Sequence, residues 1–277
     1  MKSKNLINYT DCYVAFLDIL GFENLVRSKN REAKDKIEKY FQIINYAVNE
    51  LKRIPSKRNL GTIIISDSVI LTIPKSSDQF KNIETLRQLL IAIRYIQFNL
   101  ALSNIWLRGG VSSGDAYFNS IENQIIGPAY IDAYKLESTV AIFPRVVIDS
   151  KIISEFACDS ASSLIDEINN KHAKSSDHHI EDRNVVFQWE ESEYETVGMK
   201  KDVALFVDYL APSFTEKERL IKVVDNIADN LYQDNHVYSK FRWVVEYMMS
   251  WCMPKGRIHR YLERGVVSEQ FDRLRGL

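Results

Sequence analysis

Two β-branched runs, Thr62 to Ile65 and Val69 to Ile73, stand only three residues apart, and that spacing leaves the chain few folding options. The residues between them, Ser66, Asp67 and Ser68, are turn formers, so the pair predicts a β-hairpin with Asp67 at its tip and Pro74 as its stop. Upstream, Cys12 to Ile19 (CYVAFLDI) is an apolar run rich in β-formers and closed by Gly21, which predicts a buried strand ending at Asp18. From Phe22 to Leu51 the apolar residues recur at three- and four-residue intervals, as in one or two amphipathic helices that stop before Pro55. A second helical pattern, Ile83 to Leu102, leads into the glycine-marked strand Trp106 to Val111 (WLRGGV). The order is βαββαβ, which predicts an α+β fold with a ferredoxin-like core. Its crossover makes the first two strands parallel and sets the third antiparallel between them. The end of the first strand and the tip of the hairpin then share one rim of the sheet, so Asp18 and Asp67 are expected to face each other.

Two carboxylates brought to about 4 Å repel by roughly 4 kcal/mol at an effective dielectric near 20, so they need a shared proton or bound cations. Hard oxygen ligands with open positions suit Mg²⁺ or Mn²⁺, which also hold substrate phosphates. The pattern alone equally allows Asp18 to cap the following helix and Asp67 to be an ordinary turn residue. Arg108 and Arg145 lie beside glycine- or proline-marked strands, where either could reach a phosphate; Arg145 could equally pair with a buried carboxylate.

Farther along, PAYIDAYKLESTVAI after Gly127 reads as a helix, and Pro144 to Asp149 and Val203 to Leu210 read as strands. Ser160 to Arg183 is polar enough to be an exposed insertion, and Phe214 to Trp251 carries two helical patterns. One elaborated domain over 1–277 is expected, with its core at about 11–150 and a C-terminal strand and helical addition at about 151–277. With 36 Lys+Arg against 37 Asp+Glu, the net charge of -1 provides no field for a nucleic acid partner. Three scattered cysteines, no signal-like segment and no apolar run near membrane-spanning length predict a cytoplasmic chain without a membrane partner.

Two further patterns have competing readings. Gly110 to Gly114 fits the G-x-S-x-G elbow, with Asp208 and His259 in hydrolase order, yet no helical period follows Ser112. His172, Asp177, His178 and His179 lack the spacing that fixes metal ligands and read as a solvated loop. Cys158 and Cys252 carry no signature of a reactive thiol.

The wording YVAFLDILGF, IIISDSVI, LRGGVSSGDAY and IIGPAYIDAYKLES resembles the class III nucleotide cyclases in order and spacing, from Tyr13 to Asp149. The resemblance implies that Asp18 and Asp67, with the carbonyl of Ile19, hold two Mn²⁺ or Mg²⁺ ions per site over a nucleoside triphosphate. It also implies attack of the 3′-hydroxyl on the α-phosphorus, and a homodimer whose sites are completed across the two-fold interface. Where adenylate cyclases place a lysine and an aspartate against the adenine edge, this chain has Ile63 and Gln124. Ile131 and Lys135 stand where the family has its transition-state asparagine and arginine; Lys135 keeps the charge without the guanidinium fork.

These departures, with the GPAYxxAYxLE and FPRVVID wording, look like the pyrimidine cyclases of the Pycsar antiphage systems, and the segments FVDYL and KFRWVVEYM extend the likeness over nearly the whole chain. That resemblance implies cyclic CMP or cyclic UMP as product, with the product switching on an effector without contact between the two proteins. An adenylate or guanylate cyclase, or a non-catalytic nucleotide sensor, are the alternatives for the same fold.

Overall fold

A computed structural model describes residues 7–53, 60–119, 121–171, 184–189, 204–232, 235–252, 262 and 264–277. The first strand, β1 (Thr10–Ile19), alternates its side chains between two buried faces. It is followed by α1 (Phe22–Ser28) and α2 (Arg31–Arg53), entered through Gly21 in the left-handed region at φ 74°. The hairpin is β2 (Gly61–Ile65) and β3 (Ser68–Pro74), whose last pair, Ile65 with Ser68, leaves only Ser66 and Asp67 in the turn. Ser66 takes a φ of 56° there, as a two-residue hairpin turn requires. Then come α3 (Gln79–Leu102) and β4 (Leu107–Asn119).

The strand order β2-β3-β1-β4, with every neighbour antiparallel, is the arrangement the βαββαβ reading predicts. After β4 the chain forms β5 (Gln124–Ile126), paired only with the end of β4, then α4 (Pro128–Thr139) and β6 (Val146–Ile148). A short α5 (Lys151–Glu155) and α6 (Ala161–Asp166) follow, and β7 (Val186–Phe187) and β8 (Phe206–Val207) extend the sheet beyond β6. Finally α7 (Lys217–Leu231), α8 (Asn235–Cys252) and α9 (Arg264–Arg275) pack together.

One face of β1, Tyr13, Ala15, Leu17 and Ile19, is buried under α2 and α3 with Tyr40, Ile44, Leu86 and Leu90. The other face, Cys12, Val14 and Phe16, meets Ile63, Ile70 and the small residues Ala129 and Ala133 of α4. Gly110 makes that approach possible, because a Cβ there would lie 2.4 Å from the Ala133 carbonyl oxygen. Phe206, Trp243, Tyr247 and Trp251 form a separate aromatic cluster with the C-terminal helices. Packing of this kind stabilises by about 25 cal/mol per Å² of apolar surface removed from water.

The expected strands are shorter in two places, β6 and β8, and the weak β7 and α9 had no counterpart in the sequence reading. The expected exposed insertion is corrected for residues 161–171, which are helical and bury Leu164, Ile168 and Asn169. Asn169 closes the backbone of β7: its amide oxygen accepts from the N–H groups of Val185 (2.9 Å) and Val186 (3.1 Å), and its nitrogen donates to the Val186 carbonyl (3.0 Å). A polar composition hides such a segment, because this buried polar group is satisfied by backbone partners distant in the chain.

Candidate functional site

Asp18 lies opposite Ser68 on β3 and opposite Arg108 on β4, one residue from the hairpin turn that carries Asp67. The rim therefore brings the two aspartates into one electrostatic neighbourhood. Burial raises the Asp18 carboxyl above its ordinary value and the Asp67 charge raises it further, while Arg108 and a hydrogen bond from the Ser68 hydroxyl (3.3 Å) act the other way. The backbone of Ile19 adds a third oxygen on the same side. Leu20 N–H donates to the Trp106 carbonyl (2.8 Å), so the backbone groups of Ile19 face the hairpin instead of β4.

Arg108 is the cation of this rim. Its guanidinium lies 3.6 Å from Asp18 and its Nε 2.6 Å from the Glu137 carboxylate, a charge contact whose angle falls short of an aligned hydrogen bond. Glu137 projects from the buried face of α4, one turn beyond Ala133, and is 3% exposed. Burial raises its pKa; Arg108 lowers it, and Asp18 and Asp67 raise it again, so Glu137 is a third carboxylate of the same rim. Lys240 of α8 is a second cation, its pKa lowered by burial and then by Arg108. The spacing of Ala129, Ala133 and Glu137 on one helix face is a local signal for Glu137. Lys240 has no such signal, since only the return of α8 to the core brings it near.

The donor set of Asp18, Asp67 and the Ile19 carbonyl fits a hard divalent cation. Among the described residues no group of three or more His, Cys, Asp or Glu side chains forms a ready ligand cage. One or two carboxylates, with waters and substrate phosphates completing the shell, are the usual provision for Mg²⁺, so the residues present suit such an ion.

The other predicted residues are dispersed. Ile63 shares the Asp18 face but is sealed at 2% exposure in the layer of Phe16 and Ile70. Lys135 and Ile131 are exposed on α4, and Gln124 is exposed on β5 opposite Asn119. Asp18 pairs near the start of β4, with Arg108, whereas Gln124 pairs near its end, with Asn119. Arg145 is 2% exposed; its guanidinium lies 5.2 Å over Trp243 and 5.4 Å over Phe143 and donates to the Val140 carbonyl (3.1 Å). It borders a cavity of about 870 Å³ between α4, β6 and α8, a different place from the aspartate rim.

The elbow reading meets a different geometry. Ser112 is fully buried in mid-strand and donates to Asp149 (2.7 Å), while Asp208 accepts from the Tyr247 hydroxyl and from the Trp251 indole (3.2 Å) in the aromatic cluster. His259, His172, Asp177, His178 and His179 lie outside the described residues. Cys158 is partly exposed, and burial raises the Cys252 thiol to about 12, where it stays protonated at neutral pH.

No family model matches the sequence, and no curated protein matches it. Among solved structures, the chain is similar to the adenylyl cyclase CyaB from P. aeruginosa at 16% identity, covering 72% of this chain and 94% of that one with a TM-score of 0.41. A bacterial light-regulated adenylyl cyclase follows at 14% identity, 78% and 99% coverage and a TM-score of 0.39. A class III adenylyl cyclase-like ATP-binding protein from Pseudomonas aeruginosa is similar over 97% of this chain and 71% of that one, at 12% identity and a TM-score of 0.38. Scores of this size carry no functional argument, which rests on the residues of the rim.

Proposed function

We propose that the chain is a divalent-metal-dependent nucleotide cyclase that converts CTP or UTP to its 3′,5′-cyclic monophosphate and pyrophosphate. The observation that carries this reading is the meeting of Asp18 and Asp67 on one half-buried rim, with the Ile19 carbonyl turned toward them. Bound Mn²⁺ or Mg²⁺, two ions per site, would supply positive charge to the triphosphate and make the 3′-hydroxyl a better nucleophile. The carboxylates and the Ile19 carbonyl hold that charge in place, and Arg108, anchored by Glu137, keeps Asp18 in position. The 3′-oxygen forms a bond to the α-phosphorus, the bond from that phosphorus to the β-bridging oxygen breaks, and the hydroxyl proton passes to solvent.

In this reading Gln124 serves the base and Lys135 the transition state, while Ile63, sealed in the layer of Phe16 and Ile70, only backs the fold there. Because Gln124 and Asp18 occupy opposite ends of β4, one chain alone does not bring both to one nucleotide. Two copies in a homodimer can, and Lys135 is exposed beside the apolar Ile131 and Tyr134 on α4, where a second copy would bury them. An exposed amide, Gln124, where the adenine-reading aspartate would stand supports a pyrimidine, since it offers both a donor and an acceptor. The product would act on an effector encoded elsewhere, in the antiphage setting that the sequence resemblance implies. No helix among the described residues is long and apolar enough to cross a membrane.

One observation favours a second reading. Arg108 already sets a cation against Asp18, and a non-catalytic nucleotide sensor would keep that pair when it binds nucleotide. Purified protein given ATP, GTP, CTP and UTP separately with Mn²⁺, with products resolved by chromatography, tests both. Cyclic CMP or cyclic UMP with pyrophosphate is the expected result. A purine product alone would make the chain an adenylate or guanylate cyclase, and metal-dependent nucleotide binding without pyrophosphate release would make it a sensor.

A further inference from the structure

Among the described residues three buried tyrosine hydroxyls, those of Tyr13, Tyr40 and Tyr209, have no hydrogen-bond partner. A hydroxyl taken out of water without a partner carries its full desolvation cost, so each calls for a physical explanation. Tyr13 lies near the start of β1, with Lys75 5.2 Å from its ring centroid and the charges of Glu155 and Asp11 acting on its hydroxyl. Tyr209 belongs to the aromatic cluster around Asp208. Tyr40 is the one near the aspartate rim.

Tyr40 is fully buried on α2, and its ring meets Phe22 edge-on, with centroids 6.2 Å apart at 60°. Phe22 opens α1 immediately past the end of β1, so this contact fixes the phenol beneath the strand end that carries Asp18 and Ile19. Burial raises the Tyr40 pKa most, and the carboxylates that add to the rise are Asp67 first and Asp18 second. The hydroxyl is thus a donor without an acceptor, within electrostatic reach of Asp67 and Asp18.

We infer that the Tyr40 hydroxyl is a positioning group of the metal site: when a divalent ion is held by Asp18 and Asp67, it donates its hydrogen bond into the oxygen shell on the Asp67 side. The inference rests on the reading of those aspartates as metal ligands. Groups behind the ligating oxygens orient them, and their removal weakens metal binding about ten- to a hundredfold.

The test uses full-length wild type, Tyr40→Phe, Tyr13→Phe and Asp67→Ala, each titrated with MnCl₂ alone by calorimetry and each melted without metal. Tyr40→Phe is expected to melt no lower than wild type, since it removes only an unsatisfied buried hydroxyl, and to bind Mn²⁺ ten- to a hundredfold more weakly. Tyr13→Phe removes an equally orphaned hydroxyl five residues before Asp18 and is expected to bind as wild type does. Equal affinity in Tyr40→Phe and wild type overturns the inference, as does an equal loss in Tyr13→Phe. A Tyr40→Phe that melts well below wild type also overturns it, by showing that the hydroxyl already has a partner inside the protein. A wild type that takes up no more Mn²⁺ than Asp67→Ala removes the metal-site reading itself, a signature distinct from the other three.

Discussion

At the N-terminal end of β1, Lys75 is held by Asp11 at 2.8 Å, Glu155 at 3.2 Å and the Ser113 hydroxyl at 2.6 Å. At the C-terminal end, Arg108 lies 2.6 Å from Glu137 and 3.6 Å from Asp18, with Asp67 in the adjoining turn. Each end thus gathers acids around one central cation. The difference is in the solvation of the acids: the Asp11 and Glu155 side chains are 58% and 27% exposed around a buried Lys75, whereas those of Asp18 and Glu137 are 19% and 4% exposed. Water finishes the first cluster. The second is shielded from solvent, so that burial first, and the neighbouring carboxylates after it, raise Asp18 and Glu137 above their ordinary pKa against the pull of Arg108. A surplus of acid becomes a binding site only where solvent does not neutralise it.

The largest expected effect separates the two ends by activity. Asp18→Ala or Asp67→Ala should abolish nucleotide turnover while the protein stays folded, and Asp11→Ala should leave turnover near wild type. Product chromatography alongside circular dichroism measures this, and retained turnover in either rim variant would contradict the metal role.

The next effect is on stability. Glu137→Gln leaves Arg108 with a neutral partner in a mostly buried site and should cost about 2 kcal/mol, whereas Lys75→Met should cost about 1 kcal/mol because water takes over Asp11. Urea unfolding of the two variants gives the order; a larger loss for Lys75→Met would mean that the solvated end is the more strongly coupled one.

The third effect is confined to alkaline pH. Burial, followed by the Asp11 charge, raises the Cys12 thiol from its ordinary value of 9.0 to about 11. A group whose pKa is higher in the folded state supports folding fully below its unfolded pKa and loses that contribution as pH climbs through its folded pKa. Stability should therefore fall between about pH 9 and pH 11, and Cys12→Ala should flatten that decline in urea unfolding run across the range.

The hairpin was legible because β-branched residues crowd both runs and only the turn formers Ser66, Asp67 and Ser68 separate them; the fold tightened that turn to two residues by pairing Ser68 with Ile65. The same logic placed Asp18 and Asp67 on one rim before any coordinate. β7 and β8 were poorly legible, since two residues carry no period, and α9 was hidden by a polar sequence. Arg145 looked like a phosphate ligand or the partner of a buried acid; in the fold its guanidinium lies over the rings of Phe143, Phe206 and Trp243, the last two brought there by elements distant in the chain. Glu137 carried a faint signal as a charge on an apolar helix face, while Lys240 and Tyr40 carried none.

What the amino-acid order determined by itself is the alternation of strands and helices, and with it the pairing of two acids 49 positions apart, because local periodicity and turn chemistry act within a few residues. Tertiary structure alone decided which polar groups near those acids are satisfied. Glu137 gained Arg108, the Tyr40 hydroxyl gained nothing, and Gln124 went to the far end of β4. Burial and partner distance belong to the folded whole, and they set the charge that a site has left to offer.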